Sequence, residues 1–252
     1  MAGLSSNSSK YMAGLPITDE NEAVRQQIVD KLSPDDLRDD PTLTRVAQCV
    51  EAIYGVSMTH VSLLDREYQC VVGQVGFDGW QIDREQTFCT RVIARNDVLF
   101  VNDATEHPDF EDNPMVTGEP YIRFYVGVPV VVGDVAVGTL CAMDNVPHEA
   151  DMEKRIEMFG LVHLLEQALG LRLKHGRESV EFALARDLVD ARAATTLKRY
   201  EGALDPNDRE LRVAEESIRS AMDRLAQMDT EAATDLDDPT DVDPSIAERH
   251  KK

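Results

Sequence analysis

Two apolar runs separated by only two residues constrain this sequence more than any other feature. Residues 121–132 and 135–143 are rich in β-branched, aromatic and small apolar side chains, and Gly133-Asp134 lies between them. Side chains of this kind favour strands. Glycine at the first position of a two-residue connection is typical of a tight β-hairpin. We therefore predict an antiparallel hairpin at the centre of the fold.

A long connection precedes this hairpin. Residues 98–102 form a short strand-like run, and residues 103–120 separate it from the hairpin. The connection contains the turn-forming pairs His107-Pro108, Asn113-Pro114 and Thr117-Gly118. Loops of this length in a compact domain usually have a function. A hairpin facing a long ordered loop forms a cleft, and a cleft suggests ligand sensing.

The residues before this region predict helices, a second hairpin and a short helix. One helix extends from Thr18 to Ser33-Pro34, and a second from Pro41 to Gly55. Residues 58–64 and 68–74 form a strand pair, residues 76–86 around Trp80 a mobile flap, and residues 88–93 a short helix. Helices packed on one face of an antiparallel sheet give a two-layer α+β sandwich.

The C-terminal half of the chain is predicted to be helical. Residues 151–200 read as helix with a break at Lys174-His175-Gly176, and another helix begins at Asp205-Pro206. Six leucines in residues 158–173 nearly encircle their helix, so the surplus apolar face requires a partner. We favour self-association through this helix. The alternative is that the N-terminal helix of the same chain covers it.

Charge and composition exclude several classes of function. The net charge is -21, and no lysine occurs between Lys31 and Lys154. Such a chain repels nucleic acid and anionic membranes. It has no run of 18 apolar residues and no secretory leader, which predicts a cytoplasmic protein.

The four cysteines predict buried, reduced thiols. Cys49, Cys70, Cys89 and Cys141 form no CxxC motif and no tight cluster along the chain. Zinc and iron–sulfur sites are therefore not predicted, and the sequence identifies no cofactor. Cys89 at the start of the short helix is a candidate reactive thiol, since a helix N-terminus lowers a thiol pKa.

Several of these segments together resemble the GAF domain found in bacterial sensor kinases and cyclic-dinucleotide enzymes. The similarity lies in Phe88-Cys89, in residues 101–130 (VNDATEHPDFEDNPMVTGEPYIRFYVGVPV) and in residues 137–144 (VGTLCAMD). It extends over residues 40–173. The resemblance implies an antiparallel sheet of five or six strands with a ligand pocket on one face, roofed by the short helix and the long loop. One fold of this kind hosts unrelated ligands, so the ligand itself is not predicted.

The resemblance also implies a set of ligand-binding residues. Strand alternation would place Tyr121, Arg123 and Tyr125 on one face of their strand, and a slip of one residue would exchange the faces. The full set is Phe88, Cys89 and Thr90 in the roof, Asp103, Phe110 and Asn113 in the loop, and Tyr121, Arg123, Tyr125 and Cys141 on strands. Arg123 is expected to form an ion pair with Asp103 or Asp144, or else to anchor a ligand.

Known activities of the GAF family match this sequence poorly. Bilin-carrying relatives have histidine directly after the cysteine, whereas Thr90 follows Cys89. Relatives that reduce free methionine sulfoxide use three cysteines, two of them closely spaced, unlike the cysteines here. The lysine-containing signature of cyclic-nucleotide-binding relatives is absent. His60 and His107 are conceivable haem ligands, but His107 before proline is typical of a turn, and no catalytic constellation is predicted.

These observations predict five segments and one function. Residues 1–17 are a disordered N-terminus, 18–40 an N-terminal helix, 41–173 the sensory domain, 174–228 a helical extension and 229–252 a disordered acidic tail. The predicted function is non-catalytic sensing of a small molecule, with signalling through a helical homodimer contact to a partner protein. The alternatives are a structural adaptor whose own side chains fill the pocket, and a redox-active thiol protein using Cys89.

Overall fold

An antiparallel sheet of six strands organises the part of the chain that the computed structural model describes. That part comprises residues 19–149 and 151–200, with scattered positions between 202 and 227. The strand order is β3-β2-β1-β6-β5-β4. The strands are β1 (Met58–Leu64), β2 (Tyr68–Val75), β3 (Gln81–Asp83), β4 (Leu99–Val101), β5 (Phe124–Val132) and β6 (Val135–Asp144).

The antiparallel sheet with packed helices confirms the predicted α+β class, but helices cover both faces of the sheet and not one face as predicted. Short 3-10 turns also occur at Arg84–Gln86 and Ala104–Glu106. The helices are α1 (Asp19–Leu32), α2 (Pro34–Leu37), α3 (Pro41–Tyr54), α4 (Phe88–Arg95), α5 (Pro114–Thr117), α6 (Met152–His175) and α7 (Val180–Tyr200). Within the described residues, no helix combines the length and apolar character needed to cross a membrane.

The predicted central hairpin is present. Val132 of β5 pairs with Val135 of β6, and the turn residues Gly133 and Asp134 both have positive φ, 59° and 67°. Two consecutive positive φ values match the right-handed twist of the flanking strands. Glycine adopts this conformation without steric cost, which explains the Gly-Asp pair at this point.

The three central strands β1, β6 and β5 are buried on both faces. The first face packs against α1, α3, α6 and α7 through residues such as Phe124, Val126 and Leu140. The second face packs against α4 and the 103–120 loop through residues such as Tyr125 and Cys141. We call these the helix face and the site face of the sheet.

Strand β5 begins later than the sequence predicts. Tyr121 has φ 59° and donates its backbone N–H to Gly118 O (2.7 Å), so it ends the loop as a turn. The strand starts only at Phe124. The predicted common face of Tyr121, Arg123 and Tyr125 is therefore wrong, because regular alternation does not extend back through the turn.

The predicted flap is instead packed at the edge of the sheet. Its β3 segment pairs with β2, and Val71 N donates to Trp80 O (2.8 Å). The Trp80 ring packs against the helix-face core, with the Arg38 guanidinium 5.1 Å from the ring centroid. The chain therefore gains an edge strand where a mobile cover was expected.

The leucine-rich helix α6 is covered within the chain. Its leucines at positions 161, 164, 165, 169 and 171 are each at most 6% exposed. They belong to a core shared with α1, α3 and α7. Neither of the two hypotheses drawn from the sequence considered α7 as a cover for this helix. The homodimer stays a prediction, but these leucines do not require it. The expected break occurs at Gly176 (φ 87°).

Several predicted segments lie outside the described residues. They are the N-cap at Thr18, the N-terminal residues 1–17, most of the helix beginning at Asp205-Pro206, and the tail 229–252.

A buried arginine fastens α1 to the sheet. Arg25 is fully buried and donates to Glu22 (2.7 and 2.8 Å) and to the backbone carbonyls of Leu64 and Asp65 at the end of β1. Arg84 donates to the same Glu22 carboxylate (2.7 Å). Burial by itself would raise the pKa of Glu22, but hydrogen bonds from the two guanidinium groups lower it to about 2.

We expect Glu22→Gln to destabilise the fold by about 3 kcal/mol at pH 7, because it leaves the Arg25 charge buried without its partner. The folded-state pKa of about 2 is below the ordinary 4.5, so the carboxylate stabilises the fold above pH 4.5 and loses this effect as the pH falls towards 2. Urea unfolding across this range should show the gap between wild type and variant closing. A gap that stays constant contradicts the network. The exposed Glu178→Gln serves as control, with a change below about 0.5 kcal/mol.

Two glycines offer a matched test of the packing between sheet and helices. A Cβ on Gly73 of β2 would lie 2.4 Å from the backbone carbon of Leu43 in α3, whereas a Cβ on Gly170 of α6 has no neighbour within 4 Å. We expect Gly73→Ala to destabilise the protein by at least about 2 kcal/mol. Gly170→Ala should stabilise it by up to about 1 kcal/mol, because alanine favours helix. Equal midpoints of chemical unfolding for the two variants would contradict this packing.

Candidate functional site

Two thiols and an imidazole meet on the site face of the sheet. His60, Cys89 and Cys141 are each at most 2% exposed, and one ligand atom from each lies within 4.8 Å of the others. Cys89 Sγ is 3.7 Å from His60 Nε2 and 4.0 Å from Cys141 Sγ. We call these three residues the thiol–imidazole cluster.

Strand pairing and a short helix assemble this cluster. His60 of β1 and Cys141 of β6 are direct register partners, so their side chains project from the same face of the sheet. Cys89 is the second residue of α4, which crosses this face. On β5, the absence of a side chain at Gly127 leaves room for the Tyr125 hydroxyl, which would lie 2.2 Å from a Cβ at that position.

Further polar groups surround the cluster, and some of them have no partner. Tyr125 Oη donates to Cys89 Sγ (3.3 Å), and Gln69 Nε2 contacts His60 Nε2 (2.8 Å). His60 Nδ1 and Gln69 Oε1 are buried without a hydrogen-bond partner. An unpartnered buried polar atom costs about 1–3 kcal/mol, so this arrangement calls for an occupant that can satisfy it.

The two thiols of the cluster differ in acidity. Burial raises the pKa of Cys89, but hydrogen bonds from Cys141 and His60 outweigh it and hold the pKa well below the ordinary thiol value. Burial and the neighbouring Cys89 raise the pKa of Cys141 well above that value. Burial and the Cys89 charge also raise the pKa of Tyr125. Of the two thiols, Cys89 therefore loses its proton first.

Aromatic rings fill much of the remaining space under α4. Phe88 stacks on Phe110 (4.1 Å between ring centroids) and on Tyr125 (5.0 Å). Phe110 comes from the 103–120 loop, so the stack joins loop, helix and strand. The chain's own side chains thus occupy part of the predicted ligand pocket.

The structure brings half of the predicted site residues together. Phe88, Cys89, Phe110, Tyr125 and Cys141 share one buried cluster on the site face. The other five residues lie outside this buried cluster. Asn113 Nδ2 donates to Gln86 O (2.9 Å), and Asp103 accepts from Thr105 N (2.9 Å). Thr90 Oγ1 donates to Arg84 O, and Tyr121 is 48% exposed.

The expected ion pair of Arg123 is wrong. Its guanidinium donates to the backbone carbonyls of Val116, Tyr121 and Ile122 (2.9–3.2 Å), which holds the end of the loop against the start of β5. Asp103 caps a turn, while Asp144 accepts from Ser57 and lies 2.7 Å from His148 Nε2. Both expected partners are therefore engaged elsewhere.

Sequence reasoning missed two members of the site. Gln69 was not considered, and His60 was considered only as a haem ligand. The available signal was a polar side chain within an otherwise apolar strand, because such a residue must find a partner or a function once the strand is buried.

A cavity lies away from this site, between α6 and the edge of β5 beyond its pairing with β4. It has a volume of about 540 Å³ and is lined mainly by apolar side chains, including Val128, Pro129 and Phe159. Glu166 accepts from Val131 N (2.9 Å) at this edge. Burial raises the Glu166 pKa to about 7 in spite of this bond.

Comparison with known proteins agrees with the architecture described above. The model of the GAF domain family matches residues 40–167, half of the chain. The chain belongs to the GAF domain family. This confirms the resemblance.

The sequence of this GAF protein is similar to part of a longer enzyme. Over 140 residues it is 33% identical to a cyclic di-GMP phosphodiesterase of Pseudomonas aeruginosa, a match covering 55% of this chain and 24% of that enzyme. The chain thus spans about a quarter of that relative's length.

Two solved structures show a more distant similarity. One is the GAF domain of the Acinetobacter phosphoenolpyruvate-protein phosphotransferase (19% identity, 63% of this chain, 96% of that chain, TM-score 0.42). The other is the free methionine-R-sulfoxide reductase of Neisseria meningitidis with its substrate (18%, 67%, 99%, TM-score 0.43).

We expect Phe110→Ala to lower the free energy of unfolding by about 3 kcal/mol, because it removes a fully buried ring from the stack under α4. Tyr121→Ala, another aromatic truncation in the same loop region, should change it by less than about 0.5 kcal/mol, since that ring is exposed. The free energies of unfolding of the two variants, measured by chemical denaturation, test this expected difference. Similar losses for both would mean that the loop does not pack as described.

Proposed function

We propose that this chain is a sensory or regulatory GAF protein, without catalysis of its own, that binds a small ligand between the sheet and α4. The observation that carries the proposal is the buried polar group on the site face, in which His60 Nδ1 and Gln69 Oε1 have no partner. A ligand that accepts from one and donates to the other would satisfy both atoms. Both atoms are buried, so binding would be coupled to a local movement of the residues that cover them.

The central strands provide a route from this site to the helices. Tyr125 and Cys141 face the site, while their sequence neighbours Phe124 and Leu140 face the helical core. Packed cores transmit small displacements because they contain few voids. A ligand that shifts β5 or β6 would therefore change the packing of α6 and α7. A second copy of the chain, or a partner protein in the cytoplasm, would read this change.

The comparison with the phosphodiesterase supports a regulatory role. The shared segment is about a quarter of that enzyme, which acts on a cyclic dinucleotide according to its name. A module of this length, shared with a larger signalling enzyme, fits a domain that controls activity elsewhere. This similarity does not name the ligand, because GAF domains bind unrelated molecules.

One observation favours a second function, that of a structural adaptor. The Phe88, Phe110 and Tyr125 rings occupy part of the pocket, and a pocket filled by its own side chains needs no ligand. In that case the domain would serve only to present its helices to a partner.

A thermal-shift screen separates the two functions. We expect at least one compound in a panel of nucleotides, cyclic dinucleotides, amino acids and inorganic anions to raise the melting temperature. At a hundredfold excess over Kd the stabilisation is about 2.7 kcal/mol, or roughly 5–10 °C for a chain of this size. If no compound raises the melting temperature, the adaptor is correct.

Two tyrosine variants locate the binding site. Tyr125→Phe removes the hydroxyl on the site face and should reduce the shift produced by an active compound. Tyr54→Phe is the matched control, because Tyr54 is equally enclosed in the helix-face core and its hydroxyl has no partner. A shift that is weakened equally in both variants would place binding away from the site face.

A further inference from the structure

We propose that the thiol–imidazole cluster binds one zinc ion, with His60 Nε2, Cys89 Sγ and Cys141 Sγ as its protein ligands. This proposal rests on the site of the proposed function but not on its unpartnered atoms, because zinc at His60 Nε2 would leave His60 Nδ1 and Gln69 Oε1 without partners. It differs from the sequence prediction, in which no metal site was expected because the cysteines form no cluster along the chain. The fold creates the cluster by joining residues 29 and 52 positions apart.

Two of the three distances within the cluster are close to those of tetrahedral coordination. Zinc bonds of about 2.3 Å to sulfur and about 2.0–2.1 Å to nitrogen place two tetrahedral sulfurs about 3.8 Å apart and a sulfur and a nitrogen about 3.6 Å apart. The corresponding distances here are 4.0 Å between Cys89 and Cys141, and 3.7 Å between Cys89 and His60. His60 and Cys141 lie within 4.8 Å of each other, so these two side chains would have to approach by up to about 1 Å to complete the geometry.

Charge balance selects a divalent ion. In the zinc-bound state both cysteines are thiolates and the imidazole is neutral, and any protons displaced on binding pass to solvent. Together with Zn²⁺ these ligands form a site of zero net charge, which suits a position that excludes water. A monovalent ion such as Cu⁺ would leave one negative charge buried. Soft sulfur ligands also disfavour Mg²⁺ and Ca²⁺, which take oxygen ligands.

The surrounding groups define what zinc would change. Gln69 now contacts His60 Nε2 at 2.8 Å, so a metal at that nitrogen would replace this bond and place the imidazole proton on Nδ1. The three ligands leave one position of a tetrahedral ion for a further donor, and the Tyr125 hydroxyl borders the site, 3.3 Å from Cys89 Sγ.

Zinc would tie the cover to the sheet. Cys89 belongs to α4, whereas His60 and Cys141 belong to the paired strands β1 and β6. An ion held by all three side chains would add coordinate bonds between two layers that otherwise meet through packing. Because the ligands are buried, the ion would enter during folding or when α4 separates from the sheet.

The experiment measures zinc in the full-length chain, produced without a polyhistidine tag in medium containing zinc. Elemental analysis should find one zinc per chain in the wild type. Cys89→Ser and Cys141→Ser should each reduce bound zinc at least about tenfold. Cys49→Ser and Cys70→Ser are matched controls: both cysteines are buried and free but lie outside the cluster, so these variants should retain the ion.

Cobalt substitution tests the ligands without any variant. The wild-type chain refolded with Co²⁺ should develop the sulfur-to-cobalt charge-transfer absorption and the strong visible bands of a tetrahedral thiolate site. A folded wild-type chain that contains no zinc and shows no such absorption after refolding with Co²⁺ overturns the proposal. So does a Cys89–Cys141 disulfide found by mass spectrometry in the freshly purified chain, or undiminished zinc in a folded Cys89→Ser variant.

The failure of this proposal is distinguishable from that of the sensing function. If zinc is absent but a compound raises the melting temperature of the wild type and not of Tyr125→Phe, sensing stands and the zinc site falls. If zinc is bound but no compound shifts the melting temperature of the zinc-loaded chain, the zinc site stands and small-molecule sensing falls.

Discussion

Burial of the central strands on both faces is the constraint on which the rest of this structure depends. In β1 and β6 every residue is buried, and β5 is buried at all but one position. Helices α1, α3, α6 and α7 exclude water from one face, while α4 and the 103–120 loop exclude it from the other. Without the second cover, the thiols and aromatic rings of the site face would contact solvent. Each cover is therefore needed for the sheet to form as observed.

The same constraint gives the site its chemical character. Polar side chains on a doubly buried sheet are removed from water, and each must be satisfied by a neighbour. His60, Gln69, Tyr125 and the two thiols partly satisfy one another, and two polar atoms remain without partners. In a core maintained only for stability, apolar side chains at these positions would cost less. The retained polarity is the physical reason for assigning a ligand or an ion to this face.

Much of the fold could be predicted from local patterns, and the errors occur where tertiary contacts override them. The Gly133-Asp134 hairpin, the helix beginning at Pro41 and the break at Gly176 were correct because turn and cap geometry depends on neighbouring residues. The start of β5 was wrong because Tyr121 lies in a turn closed by Gly118. Of the predicted ligand-binding residues, Cys89 and Cys141 share the buried cluster on the site face, whereas Tyr121 is exposed, and their role in binding stays a prediction.

The sequence by itself determined most of the elements, their order, the central hairpin and the resemblance to the GAF family, because these follow from periodicity, turn chemistry and a long joint motif. Only the tertiary structure decided which side chains meet. In strands buried on both faces the apolar pattern is nearly continuous, so it does not show which residues face the site. The approach of Cys89 to Cys141 depends on how α4 crosses the paired strands β1 and β6, a contact between residues far apart in the chain. Spacing along the sequence contains no information about that distance, which is why the thiol–imidazole cluster became visible only in three dimensions.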